Sequence, residues 1–157
     1  LLMNDAGPVI SKESLQRIAD YVGGAPDFAD MAEAESYLRT VHAPFGPLTD
    51  GQWAHLTKHS MAEQSNGRIA LKYDPGIAKP FASVVGEDMV LWPVWDAVQC
   101  PVTVIRGAES DLLRAETLAE MQGRGPAVTA HEIPGVGHAP ALMATDQLDL
   151  IAGWLAA

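Results

Sequence analysis

The chain has 157 residues, 48% of them hydrophobic and 19% charged, with 14 glycines and 11 prolines; this is the profile of one globular domain and excludes a disordered or fibrous chain. Ten basic against twenty acidic residues leave a formal net charge of −10, a field that repels phosphate backbones and anionic lipid, so neither nucleic acid nor a membrane surface is an expected partner. The lone Cys100 excludes an internal disulfide and fits a reducing, cytoplasmic setting, and the longest apolar run, Met89 to Trp95, falls well short of the roughly 18 residues a membrane span needs.

In chain order, Leu1-Leu2-Met3-Asn4-Asp5 reads as the end of a buried strand entering a turn, with no initiator methionine and no signal peptide before it. A strand with nothing ahead of it leads us to expect a missing first half. After the Gly7-Pro8 break, Leu15, Ile18, Ala19 and Val22 form a helical stripe behind Ser11 as N-cap. Asp30 with Glu33 resembles a capping box, and Met31, Ala34, Leu38 and Val41 continue a second helix until Pro44-Phe45-Gly46-Pro47. Thr49-Asp50-Gly51-Gln52 is a further capping box, leading a third helix whose face is Trp53, Leu56, Ser60 and Met61. The stretch from Ser65 to about Phe81 reads as irregular, apart from a brief strand over Arg68 to Tyr73.

The last third alternates. Cys100 to Arg106 is a β-branched strand closed by Gly107, with Cys100 expected as a buried structural thiol; a helix follows over Ala115 to Gln122. A second strand runs from Ala127 to Ile133, and Leu148, Ile151, Ala152 and Leu155 mark a final helix with Thr145 as N-cap. Strand, helix, strand, helix with short connections predicts an α/β fold in which parallel strands are flanked by helices. The organisation expected is a core strand and turn over residues 1–10, a mainly helical insertion over 11–90, and the rest of the core over 91–157.

In open parallel sheets reactive groups gather past the C-terminal strand ends. Two loops fit: Gly107-Ala108-Glu109-Ser110-Asp111 and Gly135-Val136-Gly137-His138. If their strands are neighbours, Asp111 and His138 come within hydrogen-bond reach, and a carboxylate holding one imidazole nitrogen fixes the tautomer and stabilises the imidazolium formed during proton transfer.

These loops, extended through Ala139-Pro140, resemble the acid turn and histidine loop of the α/β-hydrolase fold family, whose acid precedes its histidine late in the chain. Leu1 to Pro8 resembles the strand and turn after that family's nucleophile helix, and the helices from Ser11 to Met61 resemble its helical cap. The resemblance implies a partial α/β-hydrolase fold and cofactor-independent hydrolysis of a small ester, lactone, thioester or related carbonyl substrate. It implies His138 as base and then acid, with Asp111 orienting it. Asp5 is the alternative acid, because some family members carry the carboxylate after that earlier strand. Trp92, Leu142 and Met143 are expected in the substrate pocket, Trp92 sharing this expectation with other large apolar residues such as Trp95 and Met61.

G-x-S-x-G, the family's nucleophile elbow, does not occur in these 157 residues. The resemblance therefore implies a nucleophile upstream of this chain, which alone would be inactive and would need the remaining part of the hydrolase as its partner. A Ser, Cys or Asp nucleophile is compatible with these loops, so epoxide or haloalkane hydrolysis stands as an alternative within the family. Outside it, the alternative is a non-catalytic ligand-binding or scaffold protein that keeps the fold. His55 and His59 sit at i and i+4, but Leu56 replaces the Glu of H-E-x-x-H and a third ligand is lacking, so a metal site is not expected.

Overall fold

In the computed structural model, which describes residues 1–81 and 86–156, the chain starts in β1 (Leu2–Asn4) and passes through β2 (Val9–Ile10) into α1 (Lys12–Ala19). It continues through β3 (Asp27–Phe28), α2 (Met31–Val41), α3 (Asp50–Ser60), β4 (Met61–Glu63) and β5 (Ile69–Leu71). The last part comprises β6 (Met89–Val90), α4 (Trp92–Asp96), β7 (Val102–Gly107), α5 (Ala115–Gly123), β8 (Val128–Ile133) and α6 (Thr145–Leu155).

β1, β7 and β8 form the parallel sheet that the alternation predicts, in the order β1-β7-β8. Val102, Val104 and Ile105 are almost wholly buried in the central strand, which is covered on both faces and so reads as a continuous apolar run. One side of it packs with Leu113, Leu118, Met121 and Trp95. All three register partners of β1, Leu2 with Thr103, Met3 with Val104 and Asn4 with Ile105, lie on β7, so among the described residues the other edge of β1 is unpaired. Exposed Leu1, Leu91 and Val94 line one apolar hollow with Met3 of β1 and Pro8.

The residues between the first and second core strands build a separate hydrophobic centre. Phe28, Ala34, Leu38, Trp53 and Met61 pack between α2, α3 and the small antiparallel sheet β3-β5-β4. Its helices start where their caps predict. Ser11 Oγ accepts the Ser14 N–H ahead of α1, the Asp30 carboxylate accepts the N–H groups of Ala32 and Glu33 ahead of α2, and Thr49 with Gln52 forms a reciprocal capping box on α3.

Four local expectations change. Glu33 accepts from Ala29 N rather than from Asp30 N, one residue further back than a capping box requires. Met61 opens β4 instead of continuing α3, because its pairing with Leu71 draws the backbone into an extended conformation. Thr145 is the first residue of α6 and Ala144 holds the cap position without a side-chain bond. Cys100 is exposed, since it lies in the loop two residues before β7 and does not enter the covered strand.

Candidate functional site

Parallel strands end on one side of their sheet, and the three loops that follow β1, β7 and β8 meet there. The β1 loop opens at Asp5, which is fully buried and adopts φ 53°. Aspartate enters this left-handed region more readily than most side chains, and strain of this sort persists where the surroundings over-determine it. Asp5 N donates to Ile105 O at 2.7 Å, continuing the β1–β7 ladder by one step and setting the carboxylate against the end of β7.

Three donors converge on that carboxylate. Gly107 N donates to Oδ1 at 2.9 Å, Ser110 Oγ donates to Oδ2 at 2.6 Å, and His138 Nδ1 lies 2.8 Å from Oδ2. An ionised carboxylate only accepts, so its contact with His138 places the imidazole proton on Nδ1. Nε2, which has no hydrogen-bond partner among the described residues, is left to exchange protons. The ring is about one quarter exposed and opens on a cavity of about 350 Å³ lined by Arg17, Pro44, Glu109, Asp111 and Gly137.

The loop carrying His138 is pinned from three directions. Glu109 N donates to Val136 O at 2.9 Å, Gly137 N donates to Pro44 O at 2.7 Å, and Asn4 Nδ2 donates to Pro140 O at 3.0 Å. Gly107 is required by this closeness: a Cβ there would meet Gly137 O at 2.2 Å and Val136 O at 2.5 Å. Pro44 brings the insertion between α2 and α3 into direct contact with the loop. The neighbouring His42 stacks on Phe45 with ring centroids 4.4 Å apart, and burial pushes its pKa below the ordinary histidine value.

Asp111, the preferred acid from the sequence, is not the partner of His138. Its carboxylate receives Arg17 Nε and Nη2, both at 2.8 Å, and is about half exposed. Its carbonyl also accepts Ser14 Oγ at 3.0 Å, so the residue docks α1 onto the β7 loop. The physical reason lies at Ser110, which turns inward over Asp5 and leaves the next side chain pointing at α1. The alternative acid, Asp5, occupies the position facing the imidazole.

The expected pocket residues separate as well. Trp92 borders a different hollow with Val9, Ser11, Arg114 and Thr117, and the Arg124 guanidinium lies 4.6 Å from its ring centroid. It is set apart because α4 packs Trp92 against the Val102–Met121 core. Leu142, at φ 56°, and Met143 follow the histidine loop but do not line the His138 cavity; the Met143 carbonyl receives Gln52 Nε2 at 2.7 Å, tying α3 to this segment. His55 and His59 meet on α3 with centroids 4.4 Å apart, and no group of three potential metal ligands occurs among the described residues. No described helix is long and apolar enough to cross a membrane.

Two positions that sequence reasoning passed over hold the site together. Gly107 was visible only as a strand terminator, and Ser110 only as part of a polar turn. A serine that accepts the N–H groups two and three residues on, here those of Leu112 and Leu113, forms a local turn, but nothing local reveals that its proton reaches Asp5, 105 positions away.

The parallel β1-β7-β8 sheet flanked by helices has the architecture of a partial α/β-hydrolase fold. No family model matches the chain. It is 38% identical over 156 residues to the 3-hydroxybutyrate-oligomer hydrolase of Cupriavidus necator, an alignment covering 94% of this chain and 53% of that protein. Among solved structures, an α/β hydrolase from Novosphingobium aromaticivorans is 37% identical with a TM-score of 0.82, over 99% of this chain and 55% of the other. A protein of known structure from Rickettsia typhi is 33% identical with a TM-score of 0.90, over 99% of this chain and 53% of the other. The chain thus spans about half the length of the relatives it matches.

Proposed function

We propose that these residues are the acid–base portion of a hydrolase that cleaves short esters, with His138 as proton carrier and Asp5 as the group that orients it. The observation that carries this reading is the 2.8 Å contact between His138 Nδ1 and the fully buried Asp5 carboxylate at the rim of a cavity. A side-chain nucleophile attacks the ester carbonyl and His138 Nε2 takes its proton. The imidazolium, held by Asp5, then returns that proton to the departing alkoxide, leaving an acyl-enzyme. Water attacks this intermediate with His138 again as base, and the carboxylic acid leaves.

The nucleophile of this scheme belongs to the part of the protein outside these 157 residues. The unpaired edge of β1 and the apolar hollow that exposed Leu1, Leu91 and Val94 form with Met3 support that placement, since further strands and helices would cover them. The helical insertion acts as a cap whose Pro44 turn closes one wall of the cavity. The name of the Cupriavidus necator relative points to oligomers of short hydroxy acids as the substrate class.

The test is steady-state hydrolysis of 3-hydroxybutyrate dimers and trimers, and of p-nitrophenyl acetate, by the full-length protein and its His138→Ala variant. Loss of turnover on all substrates with the fold retained is the expected result. Turnover within a few-fold of the parent would overturn the assignment and favour a binding protein that keeps the fold. Cleavage of the aryl ester without cleavage of the oligomers would keep the mechanism and remove the substrate class.

A further inference from the structure

Ser110 has one hydroxyl proton and two acceptor lone pairs. Leu112 N and Leu113 N donate to its Oγ at 3.2 and 3.1 Å, which uses both lone pairs. The proton therefore has one destination, Asp5 Oδ2 at 2.6 Å, the same oxygen that holds His138 Nδ1. The residue is buried, and the two backbone donors polarise the hydroxyl toward stronger donation.

From this accounting we infer that Ser110 is a positioning residue of the hydrolytic site. It fixes the rotation of the Asp5 carboxylate, so that Oδ2 stays directed at the imidazole while Gly107 N–H holds Oδ1. Without the hydroxyl the carboxylate keeps only one donor besides the histidine, and rotation about the bond to Cγ takes Oδ2 out of line with Nδ1. The consequence falls on the proton-transfer steps and not on substrate contact, because Ser110 is absent from the lining of the His138 cavity. The inference rests on the proposed roles of His138 and Asp5.

Ser110→Ala in the full-length protein is expected to lower kcat about 10- to 100-fold with KM changed by less than about twofold, the loss of one hydrogen bond to a charged group. In an Asp5→Asn background the same substitution is expected to cost almost nothing further, because its effect passes through the carboxylate. The low-field proton resonance of His138 Nδ1–H should move or broaden in Ser110→Ala, which a merely structural serine would not cause. Should Ser110→Ala fail to fold, Ser110→Cys carries the test: it is close in shape, but its larger thiol donates and accepts only weakly, and a loss of kcat at unchanged KM is again expected. A kcat within twofold of the parent, or an equal loss in the Asp5→Asn background, overturns the inference. If His138→Ala is inactive while Ser110→Ala is unchanged, the hydrolase reading stands and only the role of Ser110 falls; an active His138→Ala removes both.

Discussion

The loops after β1 and β7 each present an aspartate near the same histidine loop, yet the two side chains live in opposite surroundings. Asp5 is fully buried and receives three donors; Asp111 is about half exposed and forms a bidentate ion pair with Arg17. A buried carboxylate with donors on both oxygens has one orientation and can direct an imidazole. An exposed pair is screened by solvent and joins one element to another with little energy. Burial and partner geometry, not proximity in sequence to the histidine, separate a group suited to chemistry from one suited to docking a helix.

The largest effect expected is on turnover. Asp5→Asn should lower kcat by about 10³- to 10⁴-fold, because an amide can present its N–H to the imidazole and select the wrong tautomer. Asp111→Asn should leave kcat within a few-fold, and steady-state kinetics on both variants decides between them. Equal losses would erase the difference between the two aspartates.

Next in size is the contact where the β7 loop meets the histidine loop. Gly107→Ala places a methyl against two carbonyl oxygens and should cost about 1–3 kcal/mol of stability, read by denaturant unfolding, with a fall in kcat as His138 is displaced. Removing the exposed pair is smaller: Arg17→Ala should cost about 1 kcal/mol or less, and added salt should shrink the difference from the parent.

The smallest effect is on pH dependence. Burial lowers the pKa of His42 in the fold below its unfolded value of about 6.5, so below that pH the unfolded chain binds more protons than the native one. Stability is full above the unfolded value and declines as the pH falls from it toward the folded one. Thermal unfolding across this window should show the decline in the parent and less of it in His42→Phe, which keeps the stack on Phe45. Identical slopes would remove His42 as its source.

Much of the architecture was legible because it depends on near neighbours in the chain. Ser11, Asp30 and Thr49 cap their helices through groups two or three residues away, and Val102 to Ile105 marks a strand covered on both faces. The glycines around His138 announced a loop that lifts an imidazole to the sheet rim. Met61 was misplaced because its extended conformation depends on Leu71, across a hairpin that helical spacing does not register. Trp92 is expected in a pocket for its size and Leu142 and Met143 for following His138 in the chain, and neither signal says which cavity a side chain borders.

The carboxylate that faces His138 shows most directly where sequence stops. The chain by itself determined that carboxylates follow two strands and that a histidine follows a third, because strand, turn and loop chemistry is written in adjacent residues. Only the tertiary structure chose between Asp5 and Asp111: the β1–β7 register brings Asp5 to Gly107 and to His138, 133 positions away, while Arg17 claims Asp111 across 94 positions. Such contacts are settled by how the layers pack, and no local pattern carries that information.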